Sequence, residues 1–537
     1  MLRRVSHRLG RRAADRGRFA TFQAEVEPEL GSRTRVHRFA EVPTVGDAGT
    51  APVELGVCVD LEGSGDATAT RASLEAQTVA PAAVAEGSGA AVLDALNSRW
   101  IVVVRAGDRL APTALERLGQ AVALAPGAAL VTCDDDLLDR AGARAEPRCA
   151  PGPSPDLLAA YDHTGALLTV AREPARGDAP GPDPGPAWRY ELALRLAGAG
   201  GAGHAHVPLI LCHAARGRPD PDDSELIAAA TRALAARGDA AARVEAAGPG
   251  RRRVRRRVEG EPAVAVVVCF RDRPELLARC ARSVLEASSY ERIALRLVDN
   301  GSVQPATGEL LGRLERDPRV RVERDPRPFN FSALNNAAAA RTNADVVVFL
   351  NSDVEVGSPS WIEELLEEAR REEVGAVAPM LLYGDGRVQH AGAAIGIHGF
   401  AGHPFAGLQP GTRTPFGAAE DGTRNWLAVS AACLMVERRK FHEVGGFDES
   451  FAVGGNDVDL GLRLTAAGYR SLCVPHVRLR HDESASRDPL AIPAGDFERS
   501  RERYGAFRTV GDPFYNPNLT LAETTCAMRA PGEERPT

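Results

Sequence analysis

The sequence predicts an α/β fold divided into two parts. In the second part, short apolar runs rich in valine and leucine alternate with segments whose apolar residues recur at helical spacing. This alternation is typical of a parallel sheet with helices on its faces. The basic run "GRRRVRRRVEGEP", residues 250–262, is the clearest break in composition, so we place the division there. Val254 and Val258 alternate with its arginines, which indicates an edge strand or a linker, although the charge alone would also suit phosphate or a membrane.

The elements of the second part follow from local patterns. Pro274 opens a helix, and Ser358, which precedes a proline, is a favoured N-cap for another. Asn456 is also a favoured cap, with Asp459 three residues later, and Gly468 is a typical helix stop. The predicted strands are Val264 to Phe270, Ile293 to Val298, Arg319 to Glu323, Val346 to Leu350 and Val477 to Leu479, with an alanine-rich helix from Ser332 to Ala340.

The totals constrain the class of protein. The chain has 537 residues, and 65 Lys and Arg against 72 Asp and Glu give a net charge of -7, so no overall charge favours nucleic acid. Nine cysteines stand singly, mostly in apolar runs, which indicates reduced, buried thiols. No apolar run approaches the roughly 18 residues of a membrane span. We therefore predict a cytoplasmic protein.

The basic N-terminus, "MLRRVSHRLGRRAADRGRF", has two interpretations. Leu2, Val5 and Leu9 lie at helical spacing between arginines, which would suit an amphipathic anchor at the inner face of the cell membrane. Because this apolar face is small, a solvated arm is the other interpretation.

Two predicted strands end in carboxylates, Asp299 in "VDNGS" and Asp353 in "NSD". Ligands of parallel sheets bind outside the carboxyl ends of the strands, and a buried carboxylate is costly without a partner. Two such ends on one crevice favour a nucleotide and a Mg²⁺ or Mn²⁺ ion, with Asp353 on the metal and Asp299, Asn300 and Ser302 on the base or ribose. The alternative is that both acids simply terminate strands in turns.

Two further residues, Asp457 and His481, indicate a chemical role only in combination with other site residues. Asp457, in "GGNDVDL", is either a first-turn acid that suits the helix dipole or a general base beside glycines that let a substrate approach. His481 follows a predicted strand, and a single histidine in such a place is more often structural than a ligand.

Nine stretches between about residue 262 and 522 form a recognisable ordered set: "VVVCFRDRPELLARCARSVLEASSY", "LVDNGS", "FNFSALNNAAA", "VVVFLNSDVEV", "VGAVAPMLLYGDGRVQHAGAAIG", "AVSAACLMVERRKFHEVGGFDESF", "GGNDVDLGLRL", "HDESASR" and "DPFYNPNL". In these stretches and their order, the chain resembles the inverting family 2 glycosyltransferases, which have the GT-A nucleotide-sugar fold. It looks most like the bacterial cell-surface polysaccharide subgroup that includes rhamnosyl- and galactofuranosyl-transferase-like members.

The resemblance implies a role for each candidate. Asp299 would recognise the nucleotide base, Asp353 would be the metal-binding end of the DxD motif, His481 a further metal ligand and Asp457 the catalytic base. The first DxD position is Asn351 here, so the site carries one charge fewer, which predicts weaker metal binding. The implied substrates are a nucleotide-diphosphate sugar and a glycan or lipid-linked glycan acceptor.

Two residues are candidates for the acceptor site. Trp426, in "RNWLAVSAACL", would stack on an acceptor sugar, and ordinary core packing is the alternative. Asn456, beside the predicted base, is the second candidate.

The first half resembles a degenerate copy of the same fold. The similar stretches are "RASLEAQTVAP", "SRWIVVVRAGDRLAPTAL", "LVTCDDDLLDRAGARAEPRCAPGPSPDLL", "WRYELALRL" and "HVPLILCHAARGRP". Arg105 stands at the DxD position, where a cation repels a divalent metal, so we expect this half to be inactive. Asp134, Asp135 and Asp136 are interpreted as a turn, because consecutive strand residues point to alternate faces.

The predicted organisation is therefore two tandem GT-A domains with mainly parallel sheets, the first degenerate. The predicted segments are a basic arm and lead-in at 1–50, a degenerate domain at 51–250, a linker or edge strand at 251–262, a catalytic domain at 263–525 and a tail at 526–537.

Two other functions were weighed against a transferase. A non-catalytic scaffold in a glycan-assembly complex fits the degenerate first half and Asn351, but it leaves the joint retention of Asp353, Asp457 and His481 unexplained. A dinucleotide or methyl-donor enzyme needs a glycine fingerprint after the first strand, which "CFRDRPE" lacks.

Overall fold

The computed structural model describes residues 15–30, 34–38, 43–46, 50–61, 66–177, 185–198, 201–217, 221–482 and 492–533. The chain forms two compact units. Unit 1 contains the described residues up to Arg255, together with Arg413–Asp421 and those from Thr509 onward, and unit 2 contains Arg256–Thr412 and Gly422–Arg508. Most of the basic N-terminal segment and residues 483–487 of the "HDESASR" stretch lie outside the described residues.

Unit 1 is built on one mixed sheet and a separate hairpin. The strands of the sheet are β1 (Arg35–Arg38), β2 (Thr44–Val45), β3 (Gly56–Asp60), β4 (Ala83–Gly87), β5 (Trp100–Arg105), β6 (Arg109–Leu110), β7 (Leu130–Leu138), β8 (Arg144–Arg148), β9 (Leu168–Ala171) and β10 (His204–Ala214), and those of the hairpin are β11 (Arg243–Gly248) and β12 (Arg251–Arg255). Its helices are Glu27–Leu30, Thr68–Glu75, Ala114–Leu124, Pro155–Ala160, Arg172–Gly177, Trp188–Ala197 and Asp223–Ala236, with a π-helical turn at Phe22–Val26 and a 3₁₀ turn at Ala90–Ala95.

Unit 2 is built on a second mixed sheet. Its strands are β13 (Val264–Phe270), β14 (Ile293–Asp299), β15 (Val320–Arg324), β16 (Val346–Leu350), β17 (Val354–Val356), β18 (Val374–Leu382), β19 (Val388–His390), β22 (Arg424–Trp426), β23 (Cys433–Glu437) and β24 (Arg470–His481), and β20 (Ala394–Ile395) pairs separately with β21 (Ala401–Gly402). Its helices are Pro274–Ala287, Pro305–Leu314, Phe331–Ala340, Trp361–Ala369, Arg438–Glu443, Asn456–Ala466 and Ala494–Val510, with a 3₁₀ turn at Ile397–Gly399.

The two sheets share one topology. In unit 1 the central order is β4-β3-β5-β9-β7-β10, and in unit 2 it is β14-β13-β16-β23-β18-β24. From the first to the last neighbour, the pairings are parallel, parallel, antiparallel, antiparallel and parallel in both units. The α/β class and the tandem arrangement are confirmed, and each sheet is mixed because its later strands include antiparallel neighbours.

Several local predictions differ from the structure. Asn456 is the first helical residue, and the cap position is Gly455, whose φ of 85° lies in the left-handed region that favours glycine. Asp459 pairs with Arg463 and Arg503 and does not cap the helix. The helix expected to begin after Ser358 begins at Trp361.

The three consecutive aspartates of unit 1 are a strand, not the predicted turn. Asp134, Asp135 and Asp136 lie in the middle of β7 and are all buried. Asp134 accepts from Asn516 and Asn518, and Asp135 and Asp136 pair with Arg148 and Arg144 respectively. Each buried charge is thus compensated.

The Asn516 and Asn518 contacts also bear on the predicted domains. Both residues lie in "DPFYNPNL", which was assigned to the catalytic domain, and they belong to unit 1. The predicted boundary at 525 therefore differs from the structure, whereas β12 and the start of unit 2 at Arg256 fall within the predicted linker.

The thiols and helices agree with the compositional predictions. The nine cysteines are unbridged, and all but Cys269 are buried. Among the helices of the described residues, none is both long and apolar enough to cross a membrane.

Candidate active site

The candidate donor site lies at the carboxyl ends of three neighbouring parallel strands of unit 2. In the sheet, β13 pairs in parallel with both β14 and β16. Asp299 is the last residue of β14, and Asn351 follows β16 directly, with Asp353 two residues later. Because parallel strands end at the same edge, these side chains share the edge where α/β sheets bind ligands.

The chain forms a tight turn after β14 that contains Asp299, Asn300 and Ser302. One oxygen of the Asp299 carboxylate takes part in this turn and the other does not. Asp299 Oδ1 accepts from the Ser302 backbone N–H at 2.7 Å, as the turn interpretation requires. Asn300 Nδ2 donates to the carbonyl oxygens of Asp325 and Arg327, both at 2.8 Å, so it fixes the following loop. Asp299 Oδ2 has no hydrogen bond within the described chain, which leaves it available to a ligand.

The loop after β13 faces this turn and is strained. Asp272 and Arg273 have φ values of 54° and 56°, which are unusual for residues other than glycine. The Asp272 carboxylate accepts from the backbone N–H groups of Val303 and Gln304, and its own N–H donates to Ser302 Oγ. Strain maintained by such a network is characteristic of functional loops. Asp272 was not singled out from the sequence, although it lies in the family-like stretch "VVVCFRDRPELLARCARSVLEASSY".

His481 lies beside the DxD motif. It is the last residue of β24 and pairs in register with Val354 of β17, the residue after Asp353. Its Nε2 lies 3.1 Å from Asp353 Oδ1 and 3.5 Å from Asn351 Nδ2. The structure therefore brings the two predicted metal ligands, Asp353 and His481, together and places Asn351, the first DxD position, beside them.

Gln389 fixes the orientation of this histidine. Gln389 Oε1 accepts a hydrogen bond from His481 Nδ1 at 2.6 Å, and both side chains are buried. With its hydrogen on Nδ1, the neutral ring presents a lone pair on Nε2 towards Asp353. Two acceptor atoms 3.1 Å apart require a proton or a cation between them. Outer-shell bonds of this kind orient histidine ligands in metal sites.

The donor set fits a divalent cation that is only partly held by protein. Asp353, His481 and the Asn351 amide provide oxygen and nitrogen donors suited to manganese or magnesium. Across the described ranges, no group of three or more His, Cys, Asp or Glu side chains is arranged to hold a metal ion. The remaining ligands would be water and substrate phosphate, as is usual for these ions.

We expect Gln389→Ala to weaken Mn²⁺ binding by about 10- to 100-fold, the usual effect of losing an outer-shell partner. The His481 ring would lose the acceptor that keeps its hydrogen on Nδ1. Manganese titration followed by electron paramagnetic resonance measures the affinity directly. Gln409→Ala, at an exposed position, is the matched control. Equal affinities for the two variants would contradict the assigned role of Gln389.

A three-residue segment, Ser430 to Ala432, connects the predicted base to the DxD motif. The Ala432 carbonyl accepts from the Asn351 N–H at 2.9 Å. The Ala431 N–H donates to Asp457 Oδ2 at 3.2 Å. Asp457 and Asn351 are therefore bound by two consecutive residues, Ala431 and Ala432. This connection places the predicted base beside the predicted metal ligands.

Asp457 has the environment of a general base. Burial raises the pKa of its carboxyl above the ordinary value, while the charge of His403 and the N–H groups of Ala431 and Val458 oppose the rise. Its Oδ1 accepts from Val458 N at 2.9 Å within the first helical turn. A carboxylate with a raised pKa is a better proton acceptor than an ordinary one.

The structure does not support an acceptor platform at Trp426. Its side chain is 1% exposed, and a Cβ added to Gly392 would lie 2.0 Å from its Nε1. The alternative, core packing, accounts for this residue. Asn456 is also buried, and its Nδ2 lies 3.4 Å from the Val453 carbonyl oxygen, so it stabilises the turn before the base.

Unit 1 has different side chains at the positions that correspond to the DxD motif. Its β9 segment "ALLTVAR", residues 166–172, corresponds to "ACLMVER", residues 432–438. In unit 1 Leu168 pairs with Val103, and in unit 2 the corresponding Leu434 pairs with Phe349, so Val103 corresponds to Phe349. Two residues further along in each unit, Arg105 corresponds to Asn351. Four residues further along, Gly107 corresponds to Asp353.

The other two site positions are also changed in unit 1. The segment "VPLILCHA", residues 207–214, corresponds to "VPHVRLRH", residues 474–481, which places Ala214 at His481. In the helix Trp188–Ala197, Glu191 pairs with Arg195, and in the helix Asn456–Ala466, Asp459 pairs with Arg463. When these two ion pairs are aligned, Arg189 corresponds to Asp457, because each lies two residues before the acid of its pair. None of these four positions in unit 1 retains an acid or a histidine.

Three residues of the site, Gln389, His390 and His403, are not predicted from the sequence. The first two lie in the family-like stretch "VGAVAPMLLYGDGRVQHAGAAIG", so the family resemblance is the only signal for them. His403 lies outside the stretches that resemble the family.

The comparisons with known proteins bear on the family of this chain. The model of "Glycosyl transferase family 2" matches residues 265–434, which include Asp299, Asn351 and Asp353. The O-antigen biosynthesis protein RfbC of Myxococcus xanthus is 40% identical over 454 residues, covering 82% of this chain and 35% of that protein. The chain thus spans about a third of that relative's length.

A shorter relative is covered for most of its length. The N-acetylglucosaminyl-diphospho-decaprenol L-rhamnosyltransferase of Mycobacterium tuberculosis is 31% identical over 230 residues, covering 38% of this chain and 73% of that enzyme. The solved structure of GalNAc-T7 with UDP, GalNAc and Mn2+ has a TM-score of 0.37 and 17% identity, over 45% of this chain and 48% of that one. The match to the family model and the extent of the similarity to the rhamnosyltransferase confirm the prediction from the motifs: the chain belongs to glycosyltransferase family 2.

Proposed function

We propose that unit 2 is a metal-dependent, inverting glycosyltransferase that moves a sugar from a nucleotide-diphosphate donor to a hydroxyl of a glycan or lipid-linked glycan. The observation that carries this proposal is the grouping of Asp353, His481 and Asp457 around the Ser430 to Ala432 segment and the end of β16. Acids and a histidine from three separate stretches of chain converge there. A purely structural role accounts for each one singly but not for their convergence.

The roles of the residues follow from their positions. The Oδ2 atom of Asp299, which has no hydrogen bond within the described chain, would accept a hydrogen bond from the nucleotide base. Asn300 and Ser302 would maintain the turn that contains Asp299. Asn351, Asp353 and His481 would hold the metal, Mg²⁺ or Mn²⁺, which when bound supplies positive charge to the leaving diphosphate. Asp457 would take the proton of the acceptor hydroxyl as that oxygen attacks the anomeric carbon from the side opposite the diphosphate.

The relatives support a place in cell-surface polysaccharide synthesis. One is named for O-antigen biosynthesis and another for L-rhamnosyl transfer to a lipid-linked glycan. We therefore propose a cytoplasmic reaction at the inner face of the cell membrane. Contact of the basic N-terminal segment with that membrane remains a prediction, because most of it lies outside the described residues.

Unit 1 is proposed to be non-catalytic. At the positions of the two metal ligands it has Gly107 and Ala214, and at the position of the base it has Arg189. Arg189 is buried and its Nη2 donates to the Ala166 carbonyl at 2.6 Å, so this position is occupied by a structural contact. The fold is retained while the reactive side chains are absent.

The test of the proposed function is turnover of a panel of nucleotide sugars, with n-octyl glycosides as acceptors, in the presence and absence of manganese. We expect one donor to be turned over in a metal-dependent way. If the protein binds no donor nucleotide with or without metal, the alternative of a non-catalytic scaffold in a glycan-assembly complex is favoured.

We expect Asp299→Asn to weaken nucleotide binding by about 10- to 100-fold, the worth of a hydrogen bond to a charged group. Asparagine keeps an oxygen for the Ser302 N–H, so the turn persists while the charge is lost. Calorimetric titration with UDP, GDP and dTDP measures the effect. Asp317→Asn is a suitable control, because Asp317 also accepts from a backbone N–H within a turn. Unchanged binding in Asp299→Asn would support the turn interpretation alone.

A further inference from the structure

Two histidines that the proposed mechanism does not use lie next to the base. His390, at the end of β19, is buried, and His403 is partly exposed. Their Nδ1 atoms are 3.1 Å apart, and the rings meet edge to face with centroids 4.8 Å apart. His390 also accepts from the Ser430 N–H through Nε2, at 3.3 Å. The pair is therefore attached to the same short segment that holds Asp457.

The hydrogen bonds determine where His390 carries its hydrogen. Burial lowers the pKa of His390 well below the ordinary value, and the nearby His403 and His481 lower it further, so the ring is neutral. Its Nε2 accepts from Ser430, so its single hydrogen is on Nδ1 and points at His403 Nδ1.

This assignment also determines where His403 carries its hydrogen. Its Nδ1 accepts from His390 at 3.1 Å, so the ring hydrogen is on Nε2. The same Nδ1 lies 3.2 Å from the Gly392 carbonyl oxygen. The Nε2–H group is therefore a hydrogen-bond donor.

This donor stands near Asp457 without bonding to it. His403 is close enough for its charge to act on the Asp457 carboxyl, whose hydrogen bonds are to the backbone N–H groups of Ala431, Val458 and Asp457 itself. His403 Nε2 has no hydrogen bond to any described residue. The Asp457 carboxylate is thus an acceptor, and His403 Nε2–H a donor, with no hydrogen bond between them.

We propose that His403, oriented by His390, binds the hydroxyl group of the acceptor sugar and positions it against Asp457. The inference rests on the proposed transferase function and identifies one residue of its acceptor site. A hydroxyl oxygen that accepts from His403 Nε2–H can donate its own hydrogen to the Asp457 carboxylate, so one group satisfies both residues.

The bond changes balance in this arrangement. The acceptor oxygen forms a bond to the anomeric carbon, and its proton passes to Asp457. The bond from that carbon to the diphosphate oxygen breaks, and the diphosphate leaves with the electron pair. His403 neither gains nor loses a proton or a covalent bond. It fixes the direction of the acceptor hydroxyl, and such orientation contributes to the rate of transfer.

The test compares His403→Phe with His403→Gln, since phenylalanine lacks a donor and the glutamine amide retains one. With n-octyl glycosides as acceptors, we expect His403→Phe to lower kcat/KM for the acceptor by about 10- to 100-fold and His403→Gln to restore most of it. The ratio of sugar transfer to donor hydrolysis should fall in His403→Phe, while calorimetric affinities for the donor nucleotide and Mn²⁺ stay unchanged. His442→Phe, at an exposed helix position, is the control.

Each result separates this inference from the proposed function. Transfer by His403→Phe at the parental ratio to hydrolysis would overturn the role of His403 and leave the transferase intact. Equal losses in the phenylalanine and glutamine variants would also overturn it, because they would indicate a packing role. A parental protein that binds no donor nucleotide would overturn both proposals together.

Discussion

Asp457→Asn is expected to lower the rate of sugar transfer by about 10²- to 10⁴-fold, the range that general base catalysis contributes. Asparagine keeps the size of the side chain and an oxygen for the Ala431 N–H, but it cannot accept the acceptor proton. Donor affinity should be unchanged, because no metal or nucleotide contact is assigned to this residue. Rates of transfer with saturating donor, measured beside donor titrations, distinguish the two effects.

The same variant has a predicted effect on stability. A carboxyl whose pKa is raised in the folded state binds its proton more tightly there than in the unfolded chain. Its contribution to stability is therefore greatest at low pH and declines as pH rises through the folded pKa. At neutral pH the partly buried charge of Asp457 is a cost that a neutral amide removes, so Asp457→Asn should melt at the parental temperature or above it.

Activity should show the complementary pH dependence. The base works when ionised, so the rate should fall as pH decreases through the raised pKa of Asp457, above the range of an ordinary aspartate. Asp448→Asn, which alters a carboxylate paired with Arg503 in the preceding loop, serves as the control. A parental rate in Asp457→Asn, or an equal loss in the control, would remove Asp457 from the mechanism.

The strands of unit 2 could be predicted closely from the sequence. Val264–Phe270 and Val346–Leu350 have the predicted bounds, and Ile293–Asp299 is one residue longer. These strands are buried along most of their length, so a continuous apolar run marks each one. The strand around Val477 was predicted as three residues and extends over Arg470–His481, because Pro475 and His476 separate the short apolar run 472–474 from Val477.

Helix starts were less predictable, because several residues can cap a helix equally well. Asn456 and Ser358 are good caps by residue type. The structure uses Gly455 and Ser360 instead, since the approach of the preceding chain decides where the helical φ and ψ angles begin. Local preference of this kind is readily overridden by tertiary packing.

The site residues also include some that could be predicted from the sequence and some that could not. Asp299, Asp353, Asp457 and His481 could be assigned from the resemblance, and the structure places them on one edge or one connecting segment. Gln389 could not be assigned, because it acts on His481 from 92 residues away in the chain. Contacts over such distances leave no periodic or spacing signal in a single sequence.

The relation between the two units became explicit through strand register, a shared ion pair and a shared strand segment. The pairings of β9 and β23 place Arg105 and Gly107 at Asn351 and Asp353. The ion pairs Glu191–Arg195 and Asp459–Arg463 place Arg189 at Asp457, and the similar segments that end β10 and β24 place Ala214 at His481. Cations at two of these positions would repel a divalent ion and could not act as a base, which is the physical argument for an inactive first unit.

Asp353→Ala is expected to reduce Mn²⁺ affinity by about 100-fold or more, beyond the usual loss from an outer-shell partner. Asp353 is the one carboxylate of the DxD motif, because the first position is Asn351, so the motif keeps no negative side chain when Asp353 is removed. Donor binding should weaken with the metal, since the diphosphate and the cation bind together in sites of this kind. Manganese titration without nucleotide, repeated with UDP, GDP and dTDP, separates the two losses.

Asp482→Asn provides the matched control for Asp353→Ala. Asp482 adjoins His481, and its backbone N–H donates to the Asp353 carbonyl at 3.1 Å, but its carboxylate pairs with Arg279 and Arg480. Loss of that charge should leave manganese affinity within a few-fold of the parental value, because the arginines already neutralise it. If Asp353→Ala and Asp482→Asn bind manganese equally well, the Asp353–His481 contact is an ion pair that supports the end of β24, and the metal must be sought elsewhere.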